Sequence, residues 1–465
     1  MTTNNALGKF SRAGGSTHQA QRIAVVGSGI SGLSAAWLLN KRHDVTVYEQ
    51  NGHVGGHSNT AQITVEGKSV AVDTGFIVYN PVNYPNLVAL FDLLGVPNNE
   101  SNMTFSASLR DGALEYAGSN LNGLLAQRTN VARPRFLMMV KDLLRFYREA
   151  PELIDRKDLA SLSLGDFLQR NGYGQAFIND HLIPMGAAIW SSSAEQMLSF
   201  PTLSFLRFFN NHGLVQLKDR PQWRTVTGGS REYVRRLSAD FAHKIRRDCA
   251  VTRVVRSGDR CDVHTDAGIE SYDQVIMACH ADEALKLLDN PTSAERRTLG
   301  RFSYQPNTAV LHSDQRLMPR RKRAWASWNY IGTGAELDDR SLCVTYWMNS
   351  LQNLTTDVPI FVTLNPARTI DPEKVFATYD YAHPVFDAAA NLAQRQLWDL
   401  QGKQRSWFCG AYFGSGFHED GIQAGLEVAE MLGGIKRPWI VPNASARVRH
   451  EEGLLTEIQR DTEAA

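Results

Sequence analysis

Three closely spaced glycines near the start of the chain have the spacing of a turn that receives a phosphate group. Gly27, Gly29 and Gly32 follow the short β-branched run 23–26. The apolar segment 33–40 comes directly after them, and the whole pattern predicts a buried strand, a tight turn and a helix. Gly27 and Gly29 would let a pyrophosphate approach the backbone, and Gly32 would let the helix pack closely on the strand.

A second strand and an acidic residue complete this pattern. The apolar run 44–48 ends at Glu49. This acid lies about 20 residues beyond the glycines, where a carboxylate accepts a hydrogen bond from a ribose. Ile30 and Ser31 stand at the start of the predicted helix, whose N–H groups and dipole favour phosphates. Gln50 follows the acid and completes a predicted dinucleotide site, in which Glu49 favours FAD or NAD over NADP.

The loop after the acid distinguishes the two cofactors. Instead of a second crossover helix, the chain has a glycine-rich segment, 50–60, that contains Gly55-Gly56-His57. It resembles the flavin amine oxidase superfamily, which includes protoporphyrinogen oxidases and carotenoid desaturases. In that family a Gly-Gly-Arg loop passes along the pyrophosphate and the flavin, so the resemblance implies FAD contacts at Gly55, Gly56 and His57. The histidine replaces the arginine, and an imidazole is mostly neutral at pH 7.

Later segments resemble the same family. A hairpin-like stretch leads to Gly75 and Phe76, which are predicted to contact the cofactor. Residues 226–230 resemble the Gly-Gly turn that returns the chain from the substrate domain. The resemblance implies that Val251 touches the adenine end through its backbone. A buried strand is predicted to end at the cofactor with Ala278.

The last part of the chain resembles the family's closing motif. A strand ends in a small-residue turn at Gly410, and a helix follows with Gly421 and Ile422 near its start. In the family this helix directs its N–H groups to the flavin, where negative charge develops on reduction. The usual acidic residue after the glycine is absent, and Tyr412 is an alternative that would face the flavin. Asp420 also replaces a customary glycine, which leaves the ribityl partner open.

Three phrases resemble a narrower bacterial subfamily of NAD/FAD-binding proteins. They are residues 184–191, 324–330 and 408–413. That subfamily is associated with cyclopropane-fatty-acid-synthase-like methyltransferases, which implies a lipid acyl chain as substrate. The resemblance to the superfamily spans most of residues 22–434, and its FAD segments are the most specific.

The order of these segments predicts an α/β protein with two interleaved domains, as the resemblance implies. A Rossmann-type FAD-binding domain would comprise residues 22–80, 215–290 and 401–436. An α+β substrate domain would comprise residues 81–214 and 291–400. Residues 1–21 are expected to be disordered.

Composition excludes several other classes of protein. The 465 residues carry a formal net charge of +1, so no overall field attracts nucleic acid. The five cysteines form no C-x-x-C pair and are expected to be free thiols in a reducing compartment. The polar N-terminus lacks the apolar region of a secretory signal, and no apolar stretch reaches roughly 18 residues. A cytoplasmic protein is expected, with a peripheral position on the inner face of the membrane as an alternative.

The middle of the chain is rich in aromatic residues and would supply the substrate pocket. Tyr330, Tyr346 and Tyr412 are the candidate catalytic residues, with His181 as a weaker candidate, although packing is the better explanation for each of them. The sequence has no nucleophile elbow, H-E-x-x-H motif or Walker loop. No metal site is expected, because His53 and His57 have no matching acid or cysteine cluster.

These features predict an FAD-dependent desaturase or dehydrogenase of unsaturated or methyl-branched fatty acyl chains, with hydride transfer to flavin N5. A double-bond isomerase, which returns the hydride elsewhere, is a close variant. A second hypothesis is an amine oxidase acting on small amines, and a third is a redox-inactive FAD-bound scaffold of a lipid-modifying complex. The sequence does not indicate the electron acceptor.

Two basic segments are candidates for contact with an anionic membrane. Residues 136–148 show a helical pattern with apolar residues on one side, and Arg133 and Arg135 precede it. Residues 320–323 are four adjacent cations before Trp325. Such segments suit lipid headgroups, although a solvated helix face or loop is the ordinary explanation.

Overall fold

The computed structural model describes residues 19–159, 161–216, 220–334 and 342–448. The expectation for residues 1–21 therefore lies almost entirely outside the described residues. Within these ranges the protein has the mixed α/β architecture that the sequence predicted, with two large hydrophobic cores. No helix in the described ranges combines the length and the apolar character needed to cross a membrane.

The first core is built on a five-stranded parallel sheet. Its strand order is Ser406–Phe408, Gln274–Met277, Arg22–Val26, Asp44–Tyr48 and Ile245–Arg246. Ile23, Ala24 and Val25 in the central strand are fully buried, as is typical of a parallel strand covered on both faces. The two strands predicted around the glycine turn are confirmed. Their neighbours in the sheet come from much later in the chain.

Two helices pack against each other beside this sheet. The helix Ile30–Leu39 begins directly after the glycine turn, and all ten of its residues are buried. It packs on the final helix, His418–Gly433. A Cβ at Gly425 would overlap the carbonyl oxygen of Ser31 and lie 2.5 Å from Ser34 Oγ. The missing side chain therefore allows the close approach that positions the start of the final helix.

The second core is built on a seven-stranded mixed sheet. Its strand order is Val375–Val385, Ser303–His312, Phe361–Leu364, Val344–Trp347, Trp328–Ile331, Phe105–Leu109 and Leu114–Ala117. Trp328–Ile331 and Phe105–Leu109 run parallel to each other, and the other neighbours are antiparallel. Apolar side chains from the helices between residues 134 and 211 join this core.

The remaining elements are short or lie around these two sheets. In a three-stranded sheet, Cys261–Thr265 pairs with Val251–Arg256 on one side and with Gly268–Tyr272 on the other. Thr60–Val65 pairs with Lys68–Asp73, and Asn98–Ser101 pairs with Trp223–Val226. The other α-helices are Pro85–Leu94, Leu121–Leu124, Pro134–Leu153, Leu164–Arg170, Gln175–Phe177, Ile183–Trp190, Ala194–Leu198, Thr202–Asn211, Arg231–Leu237, Ala281–Leu287, Ser293–Leu299, Met348–Gln352 and Ala388–Gln394.

The two cores divide the chain less simply than the predicted domain boundaries do. The hairpin Thr60–Val65 and Lys68–Asp73, assigned to the FAD-binding domain, contributes buried side chains to the second core. Pro85–Leu94, Ser293–Leu299 and Ala388–Gln394, assigned to the substrate domain, contribute theirs to the first core. Periodicity identifies an apolar face but not the core that receives it. The domain boundaries themselves stay a prediction.

Gly425→Ala should destabilise the protein, because an added methyl group cannot enter the helix contact unless one helix moves. We expect the free energy of unfolding to fall by roughly 1–3 kcal/mol, as measured by denaturant titration of the apoprotein. Gly258→Ala is the matched control, since no heavy atom of the described residues lies within 4 Å of its added methyl. Equal losses in the two variants would contradict the packing argument.

Candidate active site

A cavity of about 1020 Å³ receives residues from both cores. One part, here called the nucleotide end, contains the glycine turn and Glu49. Another part is lined by apolar residues of the helices Pro134–Leu153 and Ile183–Trp190 and is called the apolar branch. Single ligand pockets measure roughly 300–1,000 Å³. The volume therefore lies at the upper end of the range for a ligand pocket.

The glycine turn places backbone against the cavity. Gly27 has φ +106°, and a Cβ there would lie 2.7 Å from the carbonyl oxygen of Ala278. A Cβ at Gly32 would overlap the carbonyl oxygen of Gly27, which explains why the helix can pack closely on the strand. At Gly29 no heavy atom of the described residues lies within 4 Å of an added Cβ. Gly29 therefore faces the open space where a pyrophosphate would lie.

Glu49 is buried at the end of its strand and holds the surrounding backbone in place. One carboxylate oxygen accepts hydrogen bonds from the hydroxyl of Ser28 and from its backbone N–H, 3.2 Å away. The other oxygen accepts from the backbone and side-chain amides of Asn51, at 2.9 and 3.1 Å. The carboxylate thus orders the turn in addition to its predicted contact with a ribose.

The Gly-Gly-His loop lies against the glycine turn. The backbone N–H of Gly55 donates to the hydroxyl of Ser28 at 3.2 Å, and a Cβ at Gly56 would lie 3.2 Å from the Cα of Gly29. Gly55 and Gly56 have φ angles of +126° and +58°, which favour glycine. Two glycine backbones therefore face each other at the cavity wall, and His57 follows them.

Six histidines from separate parts of the chain line the cavity, namely His57, His181, His212, His280, His383 and His418. Burial lowers the pKa of His57 well below its ordinary value, and His383, His280 and His418 lower it further. Burial also lowers the pKa of His383 to about 4 and that of His418 to about 3. His57, His383 and His418 are therefore neutral at pH 7. The position of the family arginine thus carries no fixed charge, as the sequence led us to expect.

The ring of His57 has an unused polar atom. Its Nε2 is buried and has no hydrogen-bond partner among the described residues. The ring centroid lies 5.0 Å from that of Tyr381 and 5.4 Å from that of His383. His418 instead stacks on Phe76, with centroids 3.7 Å apart. A buried polar atom without a partner in a cavity wall marks a place where a ligand can supply the missing hydrogen bond.

Two of these residues belong to a strand that was not part of the predicted site. Tyr381 and His383 lie on Val375–Val385 and line the cavity. Together with Tyr379 they recur at every second position, which is typical of one face of a strand. This alternation of rings was the available signal in the sequence.

The turn before the final helix also reaches the cavity. Gly410 and Tyr412 line it, as do Phe417 and His418 at the start of the helix. The hydroxyl of Tyr412 is buried and has no partner within the part of the chain that the structure describes. Asp420 lies in the first turn of the final helix. It accepts hydrogen bonds from the backbone N–H groups of Ser415 and Phe417 and so caps the N-terminus of this helix.

Gly421 and Ile422 are not among the residues that line the cavity, and their predicted contacts with the cofactor stay a prediction. A Cβ at Gly421 would lie 2.8 Å from Cγ2 of Ile30, and Ile422 is fully buried in the first core. The final helix begins at His418, earlier than the motif indicated. Gly421 and Ile422 therefore serve the packing of the two helices.

Two of the three candidate catalytic tyrosines reach the cavity. Tyr346 and Tyr412 are part of its lining, whereas Tyr330 lies in the second core and is not. The cavity reaches Trp328 on the strand Trp328–Ile331, and Tyr330 lies two residues beyond it. Tyr330 therefore packs in the second core, and its catalytic role stays a prediction.

The structure brings the other predicted cofactor residues together. The residues that line the cavity are Gly27, Gly29, Ile30, Ser31, Glu49, Gln50, Gly55, Gly56, His57, Gly75, Phe76, Val251, Ala278 and Gly410. Gly32 lies behind the turn and has the packing role that its spacing predicted.

Metal ligation and reactive thiols were also considered from the sequence. Within the described ranges, no group of three or more His, Cys, Asp or Glu side chains is positioned to hold a metal ion. All five cysteines are free, and Cys409, which follows the strand Ser406–Phe408, is buried outside the cavity lining.

The nucleotide end fits FAD on the chemistry of its groups. Open backbone at Gly29 and the start of the helix Ile30–Leu39 suit a pyrophosphate, and the buried carboxylate of Glu49 suits a ribose. The unpartnered atoms of His57 and Tyr412 suit the polar edges of a ring system. This fold and this site define a dinucleotide-binding oxidoreductase that uses a flavin.

The chain belongs to the flavin containing amine oxidoreductase family, whose sequence model matches residues 30–345. The protein is therefore an FAD-dependent oxidoreductase. No curated protein matches the chain at a significant level.

Solved structures share the fold over most of the chain. A CLA-producing fatty acid isomerase from P. acnes is 16% identical, covers 90% of this chain and 99% of its own, and has a TM-score of 0.62. Cyclohexylamine oxidase from Brevibacterium oxydans IH-35A is 14% identical, with coverages of 89% and 99% and a TM-score of 0.63. Putrescine oxidase bound to putrescine is 16% identical, with 89% and 99% coverage and a TM-score of 0.62. At these identities the likeness establishes the fold alone.

Gly29→Ala should weaken FAD binding without weakening the apoprotein. Gly29 has φ −66° and open space around an added Cβ, so alanine fits the fold, but its methyl group would occupy the room predicted for a pyrophosphate. We expect the dissociation constant for FAD to rise at least about tenfold, or ~1.4 kcal/mol. Fluorescence titration with FAD measures this change, and Gly258→Ala is again the control. Unchanged affinity in Gly29→Ala would contradict the assignment of the turn.

Proposed function

We propose that this enzyme is a desaturase or dehydrogenase of unsaturated or methyl-branched fatty acyl chains. The apolar branch of the cavity is the observation that carries the proposal. Its apolar lining residues include Met103, Phe105, Leu124, Val140, Leu143, Leu144, Tyr147, Met185, Ile189, Trp190, Phe208, Leu214, Trp328 and Tyr346. Each methylene buried against such walls contributes about 0.8 kcal/mol, so a long acyl chain gains much more here than a small amine does.

The charges around the cavity also favour an acyl chain over a protonated amine. The acidic residues of the described lining are Glu49 and Glu283, and both lie on elements of the first core. Burial lowers the pKa of His181 to about 4 and that of His212 to about 3, so neither is charged at pH 7. Arg220 lies at the cavity in an exposed position, where it suits an acidic headgroup. A protonated amine would lose hydration in this branch without meeting a carboxylate.

Forming a double bond requires that neighbouring carbons lose a hydride and a proton. When bound, FAD supplies the two-electron oxidant that accepts the hydride. We propose that His212 accepts the proton. Its Nδ1–H donates a hydrogen bond to the carbonyl oxygen of Phe208, 2.9 Å away. The neutral ring therefore carries its lone pair on Nε2, which has no partner among the described residues. The ring centroid lies 6.1 Å from that of Phe417, next to the start of the final helix.

A double-bond isomerase is the second candidate, and a fatty acid isomerase from P. acnes is among the proteins with this fold. In this variant the hydride returns to a different carbon of the same chain. The returned hydride completes the shift of the double bond, so the substrate undergoes no net oxidation and no proton transfer by His212 is required.

Anaerobic absorbance of the holoprotein near the flavin band tests the proposal. With unsaturated or methyl-branched phospholipids and fatty acids, we expect one flavin to be bleached for each new double bond, because the bound FAD takes both electrons. A transposed double bond with no lasting bleaching would favour the isomerase. Bleaching by small amines alone would indicate an amine oxidase. If neither lipids nor amines are converted, the result would favour the redox-inactive scaffold. Either of the last two results would overturn the proposal.

His212→Gln should slow anaerobic bleaching by at least about 100-fold, because the amide cannot accept the proton. FAD occupancy should stay unchanged, since His212 belongs to the apolar branch. His243→Gln, at an exposed position, is the matched control and should keep the original rate. Equal rates in both variants would remove His212 from the mechanism, and loss of FAD from His212→Gln would point to a structural role.

A further inference from the structure

We propose that the surface around the mouth of the apolar branch binds a lipid bilayer that contains anionic lipids. This docking surface comprises the helix Leu121–Leu124, the turn Arg128–Ala132 and the outer face of the helix Pro134–Leu153. Five large apolar side chains in it are between 50% and 72% exposed to solvent: Leu121, Val131, Leu137, Met138 and Leu144. The inference goes beyond the proposed reaction, because binding to a bilayer can be measured without turnover.

The helix Pro134–Leu153 has three faces with different surroundings. The buried residues Phe136, Met139, Phe146 and Ala150 pack in the second core. Val140, Leu143 and Tyr147 line the cavity. Leu137 and Met138 point outward, and Leu144 lies between the cavity face and the outer face at 3.6 residues per turn. An ordinary surface helix has polar residues on its outer face, so the exposed apolar residues call for a partner.

The exposed apolar surface continues into the cavity. Leu121 and Leu144 are both at least half exposed, and both line the apolar branch. They form the edge of its mouth on two different helices. A chain seated in a bilayer against this surface could enter the apolar branch without crossing water, which avoids the cost of hydrating its methylenes.

The charge of the docking surface selects an anionic bilayer. Residues 121–153 contain six cationic and three acidic side chains. Arg135 pairs with Asp180, and Arg145 and Arg148 pair with Glu149. Arg128 and Arg133 donate to carbonyl and amide oxygens, and Lys141 is exposed on the outer face. Cations around exposed apolar side chains are the pattern of helices that lie in an anionic membrane interface. The whole chain has a net charge of only +1, so this excess is local.

The second basic segment that was a candidate for membrane contact, residues 320–323, is not part of the docking surface. Glu115 is buried and accepts hydrogen bonds from the backbone N–H groups of Arg320 and Arg321, and its carboxylate pairs with the Arg321 guanidinium at 2.8 Å. These contacts give Arg320 and Arg321 a structural role within the protein, so this part of the segment is explained without a lipid partner. A second copy of the chain is also a poor occupant of the docking surface, because two copies would bring their cations together.

Sedimentation of the holoprotein with vesicles tests the proposal. We expect binding to phosphatidylcholine vesicles that contain phosphatidylglycerol, and a loss of at least about tenfold at high salt. Leu137→Glu/Met138→Glu should lower the partition coefficient at least about tenfold, because the two carboxylates repel the anionic surface. Ile269→Glu/Leu392→Glu changes two similarly exposed apolar residues outside the docking surface and should bind like the parent protein.

Flavin absorbance and thermal unfolding establish that both double variants are folded. If Leu137→Glu/Met138→Glu does not fold, Lys141→Gln/Arg148→Gln provides the same comparison through exposed cations, with the same expected loss. Equal binding by all variants, or no binding of the parent to anionic vesicles, would overturn the proposal. A change from dimer to monomer in the first variant, with vesicle binding retained, would assign the surface to a second copy and also overturn it.

Discussion

Close contact between backbones at glycine positions is the constraint on which the rest of the structure depends. Gly27 meets the strand that ends before Ala278, Gly56 meets Gly29, and Gly425 meets the backbone at Ser31. These contacts connect segments that are far apart in the sequence, and none of them leaves room for a side chain. They hold the strand, the loop and both helices in one arrangement. The cofactor space is the gap that this arrangement leaves.

Local patterns in the sequence were sufficient to predict the strands, the glycine turn and the first helix at the nucleotide end. Strand, turn, helix and acid follow one another within residues 22–49, so their spacing alone indicates how they meet. The roles of Tyr330 and Gly421 are harder to predict from the sequence. Each belongs to a correctly recognised segment, but its role depends on where the cavity ends and on which neighbour packs against it. His212 reaches the cavity through tertiary packing, which neighbouring residues in the sequence do not specify.

Burial gives the two parts of the cavity a common electrostatic character. Around the Gly-Gly-His loop and along the apolar branch, burial lowers the pKa of His57, His383, His181 and His212, so these rings remain neutral. A neutral wall of low polarity accepts a hydrocarbon chain and still offers nitrogen lone pairs. The same burial that forms the second core therefore sets the chemistry that this wall can perform.

The order of strands in the parallel sheet has a consequence for synthesis of the protein. The strand Ser406–Phe408 and the helix His418–Gly433 emerge from the ribosome after the other strands of this sheet, yet they complete the core that begins with Arg22–Val26. Until they arrive, Gln274–Met277 has an unpaired edge and the helix Ile30–Leu39 lacks its cover. A nascent chain in this state exposes surfaces that chaperones bind and that aggregate easily. Cellular quality control can therefore distinguish a finished chain from one that stopped before these last two elements were made.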